Sequence, residues 1–333
     1  MPINILKKSV KRFGLEITEN CLRLVEASFE ANGVALVGAI ELPFSDPIIR
    51  QGKLKNIAGI ANHITEARLK AEPSQISATS FSISFPDKIL DVGHVSIPIV
   101  SKNEIKAVAS SAFAKLKKLN EDDYYIDTQL TVEHKNIGFE VMAAAASIEN
   151  VQEIIKLSRL LNITPIAIEP AAVANGRVRL SYPLQNALTI SICIDHSNTF
   201  VALWDKGQLI ALDDLRNLGL NDILDKNNIG SQMLSYEEIS KLNLETEKFM
   251  DSIRKIVDSV VCILAKPRSA ESEKLPISKI FLSGPGAYLP KIDRIFEKEF
   301  RIPTIIKTVK FTNNYKIGPE FITAYGLALR NEA

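Results

Sequence analysis

Apolar residues along this chain switch between two spacings, and the switches divide it into a series of strands and helices. Alternation with a period of two predicts strands, whereas apolar residues three and four positions apart predict helices. The first half opens with three consecutive strands and continues with a helix whose apolar positions run from Leu54 to Leu69. The predicted elements of this half are strands at 13–19, 23–29, 33–41, 80–85, 94–98, 127–132, 139–145 and 164–168, and helices at 53–70, 103–119 and 149–161.

The second half repeats the opening of the first, with a strand, a hairpin at 196–198 and two further strands. Two halves of similar order, each opening on a hairpin that carries an acidic residue, predict a duplicated two-lobed α/β fold with a cleft between the lobes. The predicted elements of the second half are strands at 187–194, 199–204, 207–212, 280–283 and 303–306, and helices at 249–265, 289–300 and 320–330.

Composition narrows the class of protein. The chain has 333 residues and a formal net charge of +1, so no global field favours nucleic acid. Its apolar runs, such as 188–194, are strand-sized and too short to span a bilayer. We expect no signal peptide, because no apolar stretch follows the basic start. Cys21, Cys193 and Cys262 are isolated and are interpreted as reduced thiols of a cytoplasmic protein.

The first thirteen residues combine apolar and basic positions at helical spacing. Ile3, Leu6, Val10 and Phe13 share one face, and the lysines and arginine between them share the other. Such a segment could lie on an anionic membrane surface, or it could be a frayed basic terminus.

Three places carry candidate chemistry. Glu16 and Asp195 lie at the two hairpins, Glu169 ends a strand, and Gly284 and Gly286 follow the strand that starts near Lys279. Glycine lets backbone amides approach a ligand closely, but each feature also has a purely structural interpretation: a hairpin cap, a strand end or a tight turn. No histidine has partners at metal-ligand spacing, so we assign no chemistry to His63, His94, His134 or His196.

Four segments resemble the PilM family of actin-like type IV pilus assembly proteins and, more distantly, the cell-division protein FtsA. They cover most of the chain in the family's order, although no single motif is highly specific. The segments are Gly-Leu-Glu-Ile-Thr-Glu-Asn-Cys-Leu-Arg-Leu-Val-Glu at 14–26, Ile-Glu-Pro-Ala-Ala-Val-Ala at 168–174, Phe-Leu-Ser-Gly-Pro-Gly-Ala-Tyr-Leu-Pro at 281–290 followed by Phe-Arg-Ile-Pro at 300–303, and Ala-Tyr-Gly-Leu-Ala-Leu-Arg at 324–330.

The resemblance implies a duplicated two-lobed actin-like fold with a small α/β subdomain inserted in the first lobe. The implied domains are a basic segment at 1–12, the first lobe at 13–79 and 162–186, the insert at 80–161, and the second lobe at 187–333 with a smaller helical part at 213–279. It also implies a nucleotide site in which Asp195 and Glu16 would hold Mg²⁺ through water and Glu169 would be a remnant near the attacking water. The implied nucleotide-binding residues are Glu16, Thr18, Asn20, Asp195, Ser197, Asn198, Gly284, Gly286 and Ala287.

Both phosphate hairpins depart from the family pattern. Thr18 replaces a glycine, and Glu19 places a carboxylate where small hydroxyl residues are usual, so it would repel a triphosphate. No glycine lies between Asp195 and Gly207, which suits the second hairpin poorly to wrapping phosphates. We therefore expect weak MgATP binding at most and no meaningful hydrolysis.

The function implied is a cytoplasmic scaffold at the inner membrane, in a type IV pilus or type II secretion-like platform. The insert would take part in binding the cytoplasmic N-terminal peptide of a PilN-like membrane protein, alongside other platform components. The predicted partner-binding residues are Val95, Ile97 and Ile99 on a strand and Val108, Ala112 and Leu116 on a helix, all of which could equally be core residues. The alternatives are an active actin-like ATPase, and an FtsA-like protein, which would be expected to add an amphipathic membrane helix after 320–330.

Overall fold

A computed structural model gives the structure of the chain. It describes residues 11–44, 48–50, 53–85, 90–134, 136–179, 188–227, 229, 234–244, 247–265 and 275–330. The strands in these residues are β1 Arg12–Ile17, β2 Cys21–Glu30, β3 Gly33–Pro43, β4 Ile49–Arg50, β5 Lys53–Leu54, β6 Glu72–Pro73, β7 Ser80–Ser84, β8 Leu90–Pro98, β9 Tyr124–His134, β10 Gly138–Ser147, β11 Thr164–Ile168, β12 Leu188–Ile194, β13 Asn198–Asp205, β14 Gln208–Arg216, β15 Ile277–Ser283, β16 Thr304–Ile306, β17 Val309–Lys310 and β18 Lys316–Ile317.

Helices alternate with these strands. The α-helices of the described residues are α1 Ile57–Lys70, α2 Ile105–Lys117, α3 Ile148–Leu161, α4 Ala171–Arg179, α5 Leu220–Lys226, α6 Tyr236–Ser240, α7 Glu247–Leu264, α8 Ile292–Phe300 and α9 Ile322–Ala328; short 3-10 helices occupy Glu121–Asp123, Pro285–Tyr288 and Pro319–Phe321. None of these described helices is long and apolar enough to cross a membrane.

Two large sheets repeat one strand order. The first sheet runs β11-β7-β1-β2-β3-β6, and the second runs β16-β15-β12-β13-β14. In each, three antiparallel strands are followed by two strands that add in parallel beside the first of the three. The duplication predicted from the sequence is therefore confirmed, and the opening hairpins β1–β2 and β12–β13 hold equivalent positions in the two sheets.

The two sheets bury separate apolar cores. Phe13, Leu15 and Ile17 of β1 lie in the first core, together with residues of α1, β7 and α3. Phe13 is fully buried in a strand, so the predicted amphipathic helix does not include it; the rest of that helix, residues 1–10, lies outside the described residues. In the second lobe α5, α6 and α7 share one core with the strands. The predicted helical part, 213–279, therefore starts inside β14 and ends inside β15. Its described helices have no separate core, because they pack in the core of the second sheet.

A third layer is inserted between β7 and α3. It consists of the antiparallel sheet β8-β10-β9 with α2 packed on it, around a core that includes Phe113, Phe139 and Val141. The predicted insert, 80–161, is too long at both ends. β7 is buried throughout and pairs in parallel with β1 and β11, while α3 buries Ile154 and Leu157 in the first core. The separate layer thus corresponds to residues 90–147.

Candidate functional site

A buried arginine joins the two opening hairpins. The Arg23 side chain is 1% exposed and contacts three carboxylates: Nη1 lies 3.1 Å from Glu16 Oε2, Nη2 lies 3.1 Å from Asp195 Oδ1, and Nε lies 2.5 Å from Glu41 Oε2. Glu16 and Glu41 belong to the first sheet, whereas Asp195 follows β12 of the second. The two acids expected to hold Mg²⁺ through water are thus brought together, but a guanidinium lies between them.

The pKa values of the three acids shift in different directions in this buried cluster. Burial, only partly offset by Arg23, raises the pKa of Glu16 to about 7. Burial also acts to raise the pKa of Asp195 and of Glu41, but the charge of Arg23, together with hydrogen bonds from neighbouring groups and the charge of His196, lowers the pKa of both. Asp195 and Glu41 are therefore the ionised partners of Arg23 at neutral pH, while Glu16 titrates close to it.

The backbone amides of the first hairpin donate hydrogen bonds within the hairpin itself. The Thr18 side chain is buried, and its hydroxyl oxygen accepts hydrogen bonds from the amides of Asn20 at 3.2 Å and Cys21 at 3.0 Å. The Thr18 amide in turn donates to the Cys21 carbonyl at 2.9 Å. The threonine that replaces a glycine thus closes the turn, and these amides are not directed at a ligand.

The second hairpin is tied to the helix that follows its sheet. The carbonyls of Asp195 and His196 accept hydrogen bonds from the amides of Leu220 and Asn221, at 2.7 and 2.9 Å. Asn198 donates from its side chain to Asp214 at 3.1 Å, and the half-buried Ser197 lies between His196 and Asn198 at the tip. The tip is therefore held against α5 instead of extending over the cleft.

The glycine turn after β15 is tightly packed. Gly284 has φ +79°, and a Cβ at Gly286 would lie 2.2 Å from the Ile194 side chain, so both positions require glycine for packing alone. The turn continues through the buried Ala287 as a 3-10 helix, and α8 begins at Ile292, three residues after the predicted helix start at 289. A ligand is not needed to explain these glycines.

Two stacked tyrosines, Tyr288 at the end of this turn and Tyr236 of α6, lie beside Glu41 and Glu320. Tyr236 of α6 stacks on Tyr288 with ring centroids 4.7 Å apart and planes 8° from parallel. The Tyr236 hydroxyl lies 2.6 and 2.7 Å from the two oxygens of Glu41, and the Tyr288 hydroxyl donates to Glu320 at 2.8 Å. Tyr236 thus links the helical part of the second lobe to the first sheet through Glu41, which also contacts Arg23.

The space left between the hairpins is small. A cavity of about 30 Å³ is lined by residues of both hairpins, among them Glu16, Thr18 and Asp195, and by Ser84 of β7. This volume is about that of one water molecule, whereas small-molecule sites occupy roughly 300–1,000 Å³. The residues at this cleft consequently do not fit a magnesium nucleotide in the observed arrangement.

Glu169, the predicted catalytic remnant, is held by arginines. Its carboxylate is 3% exposed and forms two parallel hydrogen bonds with Arg177, both 2.8 Å long, and a further contact with Arg330. A carboxylate with these partners is not free to act as a general base on a water in the cleft. The structure assigns Glu169 to the packing of α4 against the end of α9.

Some of the predicted partner-binding residues lie in the core of the insert, and others are exposed on its surface. Val95 and Ile97 are 6% and 4% exposed and belong to the core of the insert, against which Val108 and Ala112 also pack. These side chains face the space between α2 and its sheet, where Val95 and Ile97 are buried and Val108 and Ala112 partly buried, and their contact with a partner stays a prediction. Ile99 and Leu116 are exposed.

Instead, the described residues form a groove between the insert and the first lobe. Its volume is about 610 Å³, and it is lined by residues of β9, β10, α3 and β11, including the exposed Tyr125 and Ile155. β11 is one of the two outer strands of the six-stranded sheet, and β9 is one of the two outer strands of the three-stranded sheet. Two sheet edges thus contribute to one groove, a juxtaposition that the linear sequence does not indicate.

Arg23, Glu41 and Tyr236 are the site residues that the sequence analysis missed. Arg23 was recognisable in principle as a charged residue between Leu22 and Leu24 in an apolar strand, since arginine is rarely buried without partners. Its contact with Asp195 spans 172 positions and that of Tyr236 with Glu41 spans 195, so no local pattern indicated either.

Comparison with solved structures places this architecture in the actin-like ATPase fold, as the sequence predicts. The PilM of a PilM–PilN type IV pilus biogenesis complex is similar over 96% of this chain and 98% of its own, with a TM-score of 0.68 and 19% identity. The ethanolamine utilization protein EutJ from Carboxydothermus hydrogenoformans is similar over 96% of this chain and 90% of its own (TM-score 0.52, 15% identity). MreB 5 of Spiroplasma citri, bound to AMPPNP, is similar over 96% of this chain and 95% of its own (TM-score 0.52, 11% identity).

Neither a family model nor a curated protein sequence matches the chain. The predicted resemblance to PilM is thus confirmed for the fold.

Proposed function

We propose that the chain is a PilM-like cytoplasmic scaffold of a type IV pilus or related type II secretion platform, which binds the cytoplasmic peptide of a PilN-like inner-membrane protein without using a nucleotide. The similarity of its fold to that of the PilM–PilN type IV pilus biogenesis complex supports this proposed role. The groove between β9 and β11 is the observation that carries the proposal. Attachment to the inner membrane would come through this partner, with the basic residues at 1–12 as a second contact.

The groove has the properties that peptide recognition requires. Its volume of about 610 Å³ lies within the range of ligand sites, and most of its lining residues are apolar. An outer strand presents backbone groups that an extended peptide can pair with, while neighbouring side-chain pockets select its residues. Ile155 is 39% exposed and Tyr125 is 59% exposed, so both offer apolar surface that a peptide would cover.

A peptide titration tests this function. We expect the N-terminal cytoplasmic peptide of the PilN-like protein encoded with this chain to bind the full-length protein with micromolar affinity in the absence of nucleotide. Replacing Ile155 by aspartate should weaken binding at least tenfold, because the peptide would then have to desolvate a carboxylate in an apolar groove. Calorimetry measures both affinities.

Leu160 supplies a matched control on the same helix. It is 61% exposed and does not line the groove, so the Leu160→Asp variant should bind the peptide with wild-type affinity. Equal losses in the two variants, or none in Ile155→Asp, would contradict the proposed groove.

The alternative of an active actin-like ATPase is tested by titration with MgATP. We expect a Kd no tighter than about 1 mM, because Arg23 and Tyr236 occupy the space between the acids and the glycine turn. A Thr18→Gly, Glu19→Ser variant should not recover affinity, since it leaves both of these side chains in place. Micromolar binding by the wild-type protein would instead favour the ATPase, and recovery in the double variant would mean that the first hairpin alone had closed the site.

A further inference from the structure

Three potential metal ligands of different kinds meet beside Arg23. One ligand atom each from Cys21, Glu41 and His196 lies within 4.8 Å of the other two. Cys21 and Glu41 come from the adjacent strands β2 and β3, and His196 comes from the second hairpin. The sequence spacing of these residues gives no hint of the cluster, because it forms only when the two lobes come together.

We propose that Cys21, Glu41 and His196 form a binding site for a divalent transition metal of the Zn²⁺ class. Thiolate, imidazole and carboxylate are the ligands that Zn²⁺ takes in proteins, usually in tetrahedral geometry with water completing a three-ligand set. The Cys21 Sγ lies 3.8 Å from Glu41 Oε2, close to the roughly 3.5 Å that separates a sulfur and an oxygen ligand of a tetrahedral zinc ion. The soft thiolate distinguishes this site from the Mg²⁺ site expected at Glu16 and Asp195.

Hydrogen bonds from residues around the cluster orient the three candidate ligands. Glu41 accepts hydrogen bonds from Arg23 Nε and from the Tyr236 hydroxyl, and the Thr18 hydroxyl lies 3.4 Å from Cys21 Sγ. The His196 ring is hydrogen-bonded to the Asn221 side chain, which restricts its orientation. Partners of this kind hold metal ligands in position and tune their basicity.

The charge of the surrounding cluster also favours a cation. Arg23 contacts three carboxylates, and with Glu41 and Asp195 ionised this group of residues carries one more negative charge than positive ones, or two more when Glu16 is ionised as well. Binding of a divalent ion with loss of the Cys21 thiol proton adds one net positive charge and so reduces that excess by one. The ion would also connect the first sheet to the second hairpin and so stabilise the closed arrangement of the lobes.

Cobalt titration of the full-length protein tests the site. We expect one Co²⁺ per chain, with the visible absorption of a tetrahedral ion and a thiolate-to-metal charge-transfer band in the near ultraviolet, both displaced by Zn²⁺. The band should disappear in Cys21→Ser, and affinity should fall at least tenfold in His196→Asn, because each variant removes one ligand. The exposed Cys262 provides the control: Cys262→Ser should give the wild-type spectrum.

Thermal unfolding gives a second readout that does not depend on the spectrum. A metal that binds only the folded chain raises the melting temperature with its concentration, so Zn²⁺ should stabilise the wild-type protein and Cys262→Ser but not His196→Asn. Failure of the wild-type chain to give the charge-transfer band, or its persistence in Cys21→Ser, would overturn the proposal. Loss of the band in Cys262→Ser would overturn it equally, by placing the metal elsewhere.

Discussion

Replacing Arg23 by methionine should lower the free energy of unfolding by roughly 3–5 kcal/mol, as expected when one partner of a buried ion pair is removed. The variant leaves Glu16, Glu41 and Asp195 facing one another in a largely buried cleft, where their side chains are 7%, 23% and 16% exposed, with no cation between them. Their repulsion should also separate the two hairpins, because Arg23 is the side chain that joins Asp195 to the first sheet. Urea unfolding followed by circular dichroism measures the change.

An exposed ion pair provides the matched control. Arg254 pairs with Asp251 on α7, where the two side chains are 66% and 57% exposed, so Arg254→Met should change stability by less than about 1 kcal/mol. Similar losses in the two variants would show that the buried cluster contributes no more than a surface pair. A lysine at position 23 should restore only part of the loss, since it cannot reproduce the fork of three directed contacts.

Arg23 gives a physical reason for the proposed independence from nucleotide. Actin-like sites use the two hairpin acids around a metal that the nucleotide brings with it. Here a guanidinium from the first sheet contacts both acids, and Tyr236 adds a second link between the lobes through Glu41. The lobes are therefore connected by the chain's own side chains at the hairpins where the sequence analysis expects a nucleotide.

The order of strands could be predicted from the sequence because it depends on local pattern. Alternating apolar residues located both opening hairpins, and the repeat of that pattern after residue 187 revealed the duplication that the two sheets confirm. The acids of the site, Glu16 and Asp195, were found for the same reason: each lies at the hairpin that opens a half, Glu16 near the end of β1 and Asp195 directly after β12. Their partner Arg23 was not, since it contacts Asp195 only in the folded chain.

The limits of the insert depend on sheet topology, which apolar pattern does not encode. The strand at 80–85 looks the same whether it joins β1 or β8, and only its parallel pairing with β1 assigns it to the first lobe. The helix at 149–161 is amphipathic in either case, and its apolar face proves to pack in the first core. Both elements were therefore predicted correctly as elements and placed in the wrong layer.

Removing residues 90–146 should abolish binding of the partner peptide while leaving the two lobes folded. The two ends of this segment are neighbours: Leu90 pairs with Ala146 across β8 and β10, at the roughly 5 Å typical of paired strands, so a short glycine–serine linker can replace it. Keeping Ser147 preserves the cap of α3, in which its hydroxyl accepts a hydrogen bond from the Asn150 amide. The deletion removes β9 and β10, which line the proposed groove.

A longer deletion, of residues 80–161, should instead prevent folding. It takes out β7, whose fully buried residues pair with β1 on one side and β11 on the other, and it takes out the Ile154 and Leu157 side chains from the first core. Circular dichroism should show cooperative unfolding for the shorter deletion alone, and calorimetry should show that this variant has lost the peptide. Wild-type affinity in the folded shorter variant would rule out the groove as the docking site. Loss of folding in both would mean that the insert is needed for the cores of the lobes, to which Met142 contributes beside Phe200 and Trp204.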